Sequence, residues 1–335
     1  MNLLADSPLI VDLTRLLPGP YGTFLLKAYG ARVVKVEDPF KGDYLKTMMS
    51  YDGSDAFIYR LLNEDKEKVY LNLKDPIDRE KFLELVKKAK VLVESFRPDV
   101  MNKLGLGYEI LTKLNPNLVY INLGGYLETT FDAKKAGHDL NYLAQSGILG
   151  ATGKQQREII GVPIADFAGG LALSSLVMGG LYYQKTTGKG IYLQIGMEEL
   201  MESWAVLGAA VYGEKDRVPG PGEGILNGGV VCYNIYKVKD GFVTLGALEE
   251  KFWINFLTTI NREYLKPGQF SPAVRGNPYY EEVCAVFSKL TLKETESLFK
   301  DADCCLKPVR ELREVAVESI NEGKKKAVGF LWQKF

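Results

Sequence analysis

The first two hundred residues alternate short apolar runs with amphipathic segments, and this alternation constrains the fold more than any other feature of the chain. Strands are predicted at 9–13, 32–37, 68–73, 91–96, 118–123 and 191–196. Helices are predicted between them, among others at 21–29, 75–89, 138–145, 166–184 and 198–210. Strands that alternate with helices form a parallel sheet with helices on its faces. The sequence therefore predicts a large, Rossmann-like α/β domain that binds its ligand at the carboxyl ends of the strands.

The pattern changes after 218–224, where proline and glycine alternate without apolar periodicity, as is typical of a linker. Beyond it, an Asp-Gly turn between two apolar runs predicts a β-hairpin over 232–248. Helical segments follow, and then a short strand near 305–309. The sequence thus predicts a first part of the large domain over 1–210, a linker over 211–230 and a smaller α+β domain over 231–305.

The composition limits the chemistry. The chain has a single histidine, His138, so a metal site with two histidines is excluded. The 42 acidic and 42 basic residues balance, so no global charge favours nucleic acid or a membrane surface, and an anionic ligand needs a local basic cluster.

The four cysteines form no CxxC pair, and the start lacks the features of a signal peptide. No uninterrupted apolar run reaches the roughly 20 residues of a membrane span. These features predict a cytoplasmic protein without a membrane segment.

Two segments place ionisable side chains where a loop becomes a helix, while complete motifs for dinucleotides, phosphate loops and nucleophile elbows are missing. His138 and Asp139 begin one predicted helix and Asp166 begins another. Free N–H groups at a helix start stabilise a carboxylate or a substrate oxyanion. A structural interpretation is open for each residue alone, because Asp commonly caps helices. Gly169 and Gly170 weaken a helix and predict close approach of a second backbone or a ligand.

Six segments together resemble the family III coenzyme A transferases and the α-methylacyl-CoA racemases. They are RVVKVEDPFKGD (32–43), VYLNLKDP (69–76), VESFRPDVMNKLGLGYEIL (93–111), AGHDLNYLAQSG (136–147), DFAGG (166–170) and DGFVTLGALEEKFW (240–253). The resemblance runs in family order from about residue 8 to about residue 310. It implies a large domain built from both chain ends, with 306–335 returning to it, and two ring-like subunits interlocked as a homodimer. The active site would lie where the large domain of one subunit meets the small domain of the other.

The resemblance also implies an acyl-CoA substrate and no cofactor beyond its coenzyme A moiety. Asp166 matches an aspartate that is the nucleophile in transferases and an acid/base group in racemases. His138 lies in the GHD typical of racemases, where transferases usually carry an aromatic residue. Glu249 matches a racemase acid thought to assist the histidine, although a helix-start carboxylate explains it equally well. The resemblance thus favours a racemase of 2-methylacyl-CoA thioesters. A CoA transferase with Asp166 as nucleophile and a CoA-binding protein without catalysis remain the alternatives.

In the racemase interpretation, His138 and Asp166 act on opposite faces of the α-carbon, and the Asp139 backbone N–H binds the enolate oxygen. Contacts with coenzyme A are predicted at the family positions Lys35, Lys74, Ser95, Phe96, Arg97 and Lys103. Without the resemblance, the basic residues among these would be ordinary surface charges. The segment 122–130 departs from relatives, which commonly carry an arginine-containing turn there. We expect this departure to alter the acyl pocket or the path of the pantetheine. The chain also ends at residue 335, whereas many relatives return further into the large domain, and the sequence does not fix the acyl group.

Overall fold

The computed structural model describes residues 3–153, 157–215 and 217–321. The chain forms two compact units. The first contains the described residues up to 147 together with 160–206, and the second contains the described residues of 148–159 and those from 207 onwards.

The first unit is built on six strands: Leu9–Leu13 (β1), Arg32–Glu37 (β2), Glu67–Tyr70 (β3), Val91–Glu94 (β4), Val119–Gly124 (β5) and Ile191–Gly196 (β6). All neighbouring pairs are parallel, in the order β3-β2-β1-β4-β5-β6. The predicted α/β class is confirmed. Apolar side chains of β1 and β4 are buried on both faces, as expected of central parallel strands. The order reverses between β1 and β4, which makes the carboxyl ends of these two strands the switch point of the sheet.

The helices of the described chain are numbered in chain order. They are Pro18–Ala28 (α1), Leu45–Met48 (α2), Phe57–Asn63 (α3), Pro76–Lys88 (α4), Val100–Lys103 (α5), Tyr108–Leu114 (α6), Asp139–Gln145 (α7), Ile148–Ala151 (α8), Ile164–Thr187 (α9), Met197–Trp204 (α10), Val206–Lys215 (α11), Glu250–Thr259 (α12), Pro278–Phe287 (α13), Leu292–Leu298 (α14) and Leu312–Asn321 (α15). The start of α4 follows from its sequence, because the Asp75 carboxylate accepts the Ile77 and Asp78 N–H groups and Pro76 occupies the first turn.

The glycines of α9 allow close helix packing. A Cβ on Gly170 would lie 2.6 Å from the Pro18 carbonyl oxygen of α1, and one on Gly169 would lie 3.0 Å from Met197 at the start of α10. The close approach predicted from these glycines is therefore made by helices. Among the described residues, α9 alone is long and apolar enough to cross a membrane, a test that a core helix also passes.

The second unit contains the antiparallel strands Tyr233–Val238 (β7), Gly241–Gly246 (β8) and Leu306–Pro308 (β9). Its core is aromatic, and Phe256 stacks on Trp253 and on Phe299. The smaller α+β unit is therefore as predicted. Because β9 pairs with β8 and the described chain after it stays in this unit, the structure does not show the predicted departure from the small domain at residue 306. Residues 322–335, which carry the rest of that prediction, lie outside the described residues.

Candidate active site

The start of α7 lies against two tyrosine rings. His138 is the N-cap of α7; its backbone N–H donates to Asn141 Oδ1 at 3.0 Å, and its side chain is exposed. A Cβ on Gly137 would lie 2.7 Å from both Tyr126 Oη and Tyr142 Cε1. The glycine before His138 therefore lets the loop approach these rings, and this contact fixes the backbone from which His138 projects.

Asp139 connects the starts of α7 and α9. The N-cap of α9 is Pro163, whose side chain offers no acceptor to the first-turn N–H groups. Asp139 Oδ1 supplies one instead, accepting from the Ala165 N–H at 2.6 Å and from the Asp166 N–H at 3.2 Å. Because Asp139 follows His138 directly, one carboxylate holds both predicted acid/base residues in the same part of the first unit. We call the group His138, Asp139 and Asp166 the helix-start corner.

Burial changes the acidity of the helix-start corner. It raises the pKa of the Asp166 carboxyl to about 6, and the negative charge of Asp139 adds to this shift. Burial also raises the pKa of Asp139, while the hydrogen bonds that it accepts from two backbone N–H groups act to lower that pKa. The pKa of the Tyr142 phenol is raised by burial and by nearby groups that include Asp166. A carboxyl with a pKa close to neutral pH can take up a proton and return it.

The backbone N–H of Asp139 has no acceptor among the described residues. It belongs to the first turn of α7, where N–H groups have no partner within the helix and carry partial positive charge. This donor is thus free for an oxyanion, as the role predicted for it requires. That role stays a prediction.

The unusual segment 122–130 packs against the start of α7. A Cβ on Gly125 would lie 2.3 Å from Tyr142 Oη, and the Tyr126 ring meets the Tyr142 ring edge to face at 5.5 Å. The Gly125 carbonyl also accepts the Glu198 N–H at the start of α10 at 3.0 Å. The segment therefore supports the helix-start corner through small residues and tyrosine.

Lys35 does not have the exposed ammonium group that its predicted contact with coenzyme A requires. It lies on β2 and is fully buried. Its Nζ donates to the Thr14 carbonyl at 2.8 Å and lies 3.3 Å from an oxygen of the buried Asp43 carboxylate. The side chain points under the loop after β1 instead of out of the strand edge. Its role here is structural, because it holds that loop.

An arginine that the sequence did not single out lies at the switch point. The Arg15 guanidinium lies over the rings of Phe96 at 5.1 Å and Tyr44 at 5.5 Å. Its backbone N–H donates to Ser95 Oγ at 3.1 Å. The structure thus brings two predicted coenzyme A residues, Ser95 and Phe96, together with Arg15. The available signal was its position just after β1, at the edge where α/β sheets bind ligands.

The other predicted binding residues, Lys74, Arg97 and Lys103, have exposed side chains. Arg97 lines a cleft of about 420 Å³ whose lining also includes Glu94 and Glu128 but neither lysine. Burial raises the pKa of Glu94 to about 7, and the charge of Glu128 adds to this. The structure therefore does not gather the three basic residues around one cleft.

Glu249 belongs to the second unit. It is the N-cap of α12 and its side chain is exposed. Burial raises the pKa of the Cys305 thiol, and the Glu249 charge adds to this. Because His138 lies in the other unit, the predicted assistance by Glu249 stays a prediction. Among the described residues, no three His, Cys, Asp or Glu side chains are grouped so that they could hold a metal ion.

Comparison with known proteins gives one family. The model of CoA-transferase family III matches residues 7–325. The acetyl-CoA:oxalate CoA-transferase of Acetobacter aceti is 40% identical over 195 residues, 57% of this chain and 50% of that protein. The human succinyl-CoA:glutarate CoA-transferase is 33% identical over 243 residues, 71% of this chain and 55% of that protein. The chain thus spans about half the length of these two relatives.

Similarity over more of the chain comes from a racemase and from solved structures. The human alpha-methylacyl-CoA racemase is 32% identical over 325 residues, 93% of this chain and 79% of that protein. A CAIB/BAIF family protein from Brucella suis has a TM-score of 0.80 at 23% identity, covering 96% of this chain and 88% of its own. This structural likeness supports the fold.

Proposed function

The chain belongs to CoA-transferase family III, and we propose that within this family it is a racemase of 2-methylacyl-CoA thioesters. One observation carries the proposal. The only histidine and a carboxyl of raised pKa lie at the starts of two helices that are joined by the Asp139 carboxylate. A pair of acid/base groups is what racemisation at one carbon needs.

The chemistry uses each group of the helix-start corner. The C–H bond beside a thioester carbonyl is a weak acid, so negative charge that develops on the carbonyl oxygen must be stabilised as the proton leaves. The Asp139 N–H donates a hydrogen bond to that oxygen. His138 or Asp166 takes the proton, and the other group, in its protonated form, returns one to the opposite face. The raised pKa of Asp166 supports this, because proton transfer is most efficient when the pKa lies near the working pH.

Coenzyme A binds at the carboxyl edge of the sheet in this proposal. Arg15, Ser95 and Phe96 lie together at the switch point, where open α/β sheets bind their ligands. The Arg15 guanidinium offers charge to a phosphate and a flat face to a base. Arg97 lies next in the chain and is exposed. The substrate's own coenzyme A is the only cofactor that we propose.

The second candidate is a CoA transferase. The transferase from Acetobacter aceti, at 40% identity over 195 residues, favours it. Asp166 would then attack the thioester carbonyl, releasing the CoA thiolate and forming an acyl anhydride. The thiolate would next attack the Asp166 carbonyl, releasing the acyl group as a carboxylate, and the resulting aspartyl-CoA thioester would pass its CoA to a second carboxylate.

One incubation separates these reactions. The protein is supplied with a (2R)-2-methylacyl-CoA and an unlabelled carboxylic acid in deuterated water, and the products are analysed by mass spectrometry and chiral separation. Deuterium at the α-carbon with inversion supports the racemase. A CoA thioester of the added acid, formed without deuterium uptake, contradicts the racemase and supports the transferase. Binding of coenzyme A without either product leaves a CoA-binding protein without catalysis.

We also propose a homodimer located in the cytoplasm. For a dimer we expect a mass near twice 37.3 kDa, measured by light scattering after size-exclusion chromatography. A mass of one chain at micromolar concentration contradicts it.

A further inference from the structure

We propose that the Asp139 carboxylate is a positioning residue of the reaction: by capping α9 it fixes Asp166 in place relative to His138. The inference rests on the proposed function and deepens it, because it gives the side chain of Asp139 a task separate from that of its backbone N–H.

The N-cap residue of α9 supplies no side-chain cap. The first-turn N–H groups of a helix have no intrahelical acceptors, and Pro163 at the N-cap has no side-chain oxygen to offer. Asp139 Oδ1 accepts from Ala165 at 2.6 Å and from Asp166 at 3.2 Å, although Asp139 precedes Ala165 by 26 positions. One of the two donors is the backbone of the proposed acid/base residue itself. A displacement of Asp139 would therefore be passed directly to Asp166.

The other end of this connection is also fixed. Asp139 is the first residue of α7, directly after His138, whose backbone is held by Asn141 Oδ1 at 3.0 Å. Gly137 is packed against the Tyr126 and Tyr142 rings. In the described part of the chain, Asp139 is the side chain whose hydrogen bonds join the two helix starts. It thus sets the relative position of two groups that must reach the same carbon atom.

The charge of Asp139 has a second effect on Asp166. Among the described residues, Asp139 is the charged group whose field raises the pKa of Asp166, in addition to burial. The Tyr142 phenol on α7 interacts with Asp166 and also with Glu198 at the start of α10. Tyr21 of α1 meets the ring of Phe167, the residue after Asp166. Position and charge can be separated by mutation.

Two variants make that separation. Asp139→Ala removes both the acceptor and the charge, and we expect kcat for racemisation to fall about 100-fold, the cost of a misplacement of about 1 Å. Asp139→Asn keeps an acceptor oxygen and should retain much of the rate. In that variant the acid limb of the kcat/KM profile should move to lower pH, because the pKa of Asp166 falls when a neighbouring negative charge is lost.

Hydrogen–deuterium exchange of the backbone gives a readout that does not depend on activity. Peptides that contain Ala165 and Asp166 should exchange faster in Asp139→Ala than in the wild type, with Asp139→Asn in between. Thr291→Ala is the matched control. Thr291 caps α14 through the Glu294 N–H in the second unit, so its loss should speed exchange there and leave racemisation unchanged.

The results decide between the possibilities. Faster exchange at the start of α9, with loss of rate in Asp139→Ala and an acid shift in Asp139→Asn, supports the inference. Unchanged exchange at the start of α9, a wild-type kcat in Asp139→Ala, or an unmoved pH profile in Asp139→Asn overturns it. If the wild type itself neither racemises nor exchanges the α-proton, the proposed function fails, and the amide exchange still decides whether Asp139 caps α9.

Discussion

The helix-start corner and the carboxyl edge of β1 and β2 both place charged side chains in partly or fully buried positions, but they use them differently. In the corner, Asp139 and Asp166 lie close together, neither forms an ion pair with a lysine or arginine among the described residues, and burial raises the pKa of both. At the strand edge, Lys35 is paired with Asp43 and donates to a carbonyl. An unpaired buried carboxyl is costly for stability and useful for proton transfer, whereas a paired buried charge holds the backbone.

The largest effect is expected when the pair at the strand edge is broken. Lys35→Met leaves the Asp43 carboxylate buried without its cation, and removal of one partner of a buried pair costs about 3–5 kcal/mol. We expect a matching fall in the urea midpoint of unfolding. The exposed Lys74→Met is the control and should change the midpoint little. If Lys35→Met were stable but bound coenzyme A more weakly, that result would instead support the contact of Lys35 with coenzyme A predicted from the sequence.

Gly137→Ala tests the rigidity of the corner. The added methyl group would lie 2.7 Å from Tyr126 and Tyr142, so the start of α7 must move. We expect kcat to fall about 100-fold, with a loss of stability of about 1–3 kcal/mol. Gly179→Ala on α9 is the matched control, because nothing lies within 4 Å of its added Cβ. Its activity should not change. Wild-type kcat in Gly137→Ala would show that the tyrosine packing does not position His138.

Asp166→Asn tests whether the ionised Asp166 carboxylate in the corner lowers the stability of the folded protein. The pKa of Asp166 is about 6 in the folded chain against 3.8 as the reference, so the folded state binds the proton more tightly than the unfolded state. Stability from this group is therefore present at low pH and is lost as the pH rises through 6. Removing the charge should stabilise the protein by about 2 kcal/mol at pH 7.5 and much less at pH 4. Thermal unfolding at both pH values measures this; a destabilised variant at pH 7.5 contradicts it.

The smallest effect is expected at the switch point. Arg15→Ala removes a guanidinium that lies over Phe96 and Tyr44, and we expect KM for the acyl-CoA to rise about 10-fold, or about 1.4 kcal/mol, with kcat nearly unchanged. Arg15→Lys keeps the charge without the flat stacking surface, so its KM should lie between those of the wild type and Arg15→Ala. An equal fall of kcat in both variants would mean that Arg15 acts on the reacting atoms.

The sequence was sufficient for what depends on local patterns. Alternating apolar segments gave all six parallel strands, and His138, Asp139 and Asp166 do lie at helix starts because glycine, proline and polar residues mark those starts. Contacts between residues that are far apart in the sequence could not be predicted from it. The burial of Lys35 depends on which neighbours cover β2, and the capping of α9 by Asp139 spans 26 positions. The helices α2 and α3, with 4 and 7 residues, are too short for a periodic signal.

The central claim is that His138 and Asp166 serve opposite faces of one carbon atom. It is tested most directly by deuterium uptake from solvent into each pure enantiomer of a 2-methylacyl-CoA, measured for the wild type, His138→Gln and Asp166→Asn. We expect uptake into both enantiomers by the wild type. Each variant should lose racemisation and exchange at most one enantiomer, and the enantiomer should differ between the two. Racemisation at the wild-type rate by either variant, or exchange of the same enantiomer by both, would contradict the account.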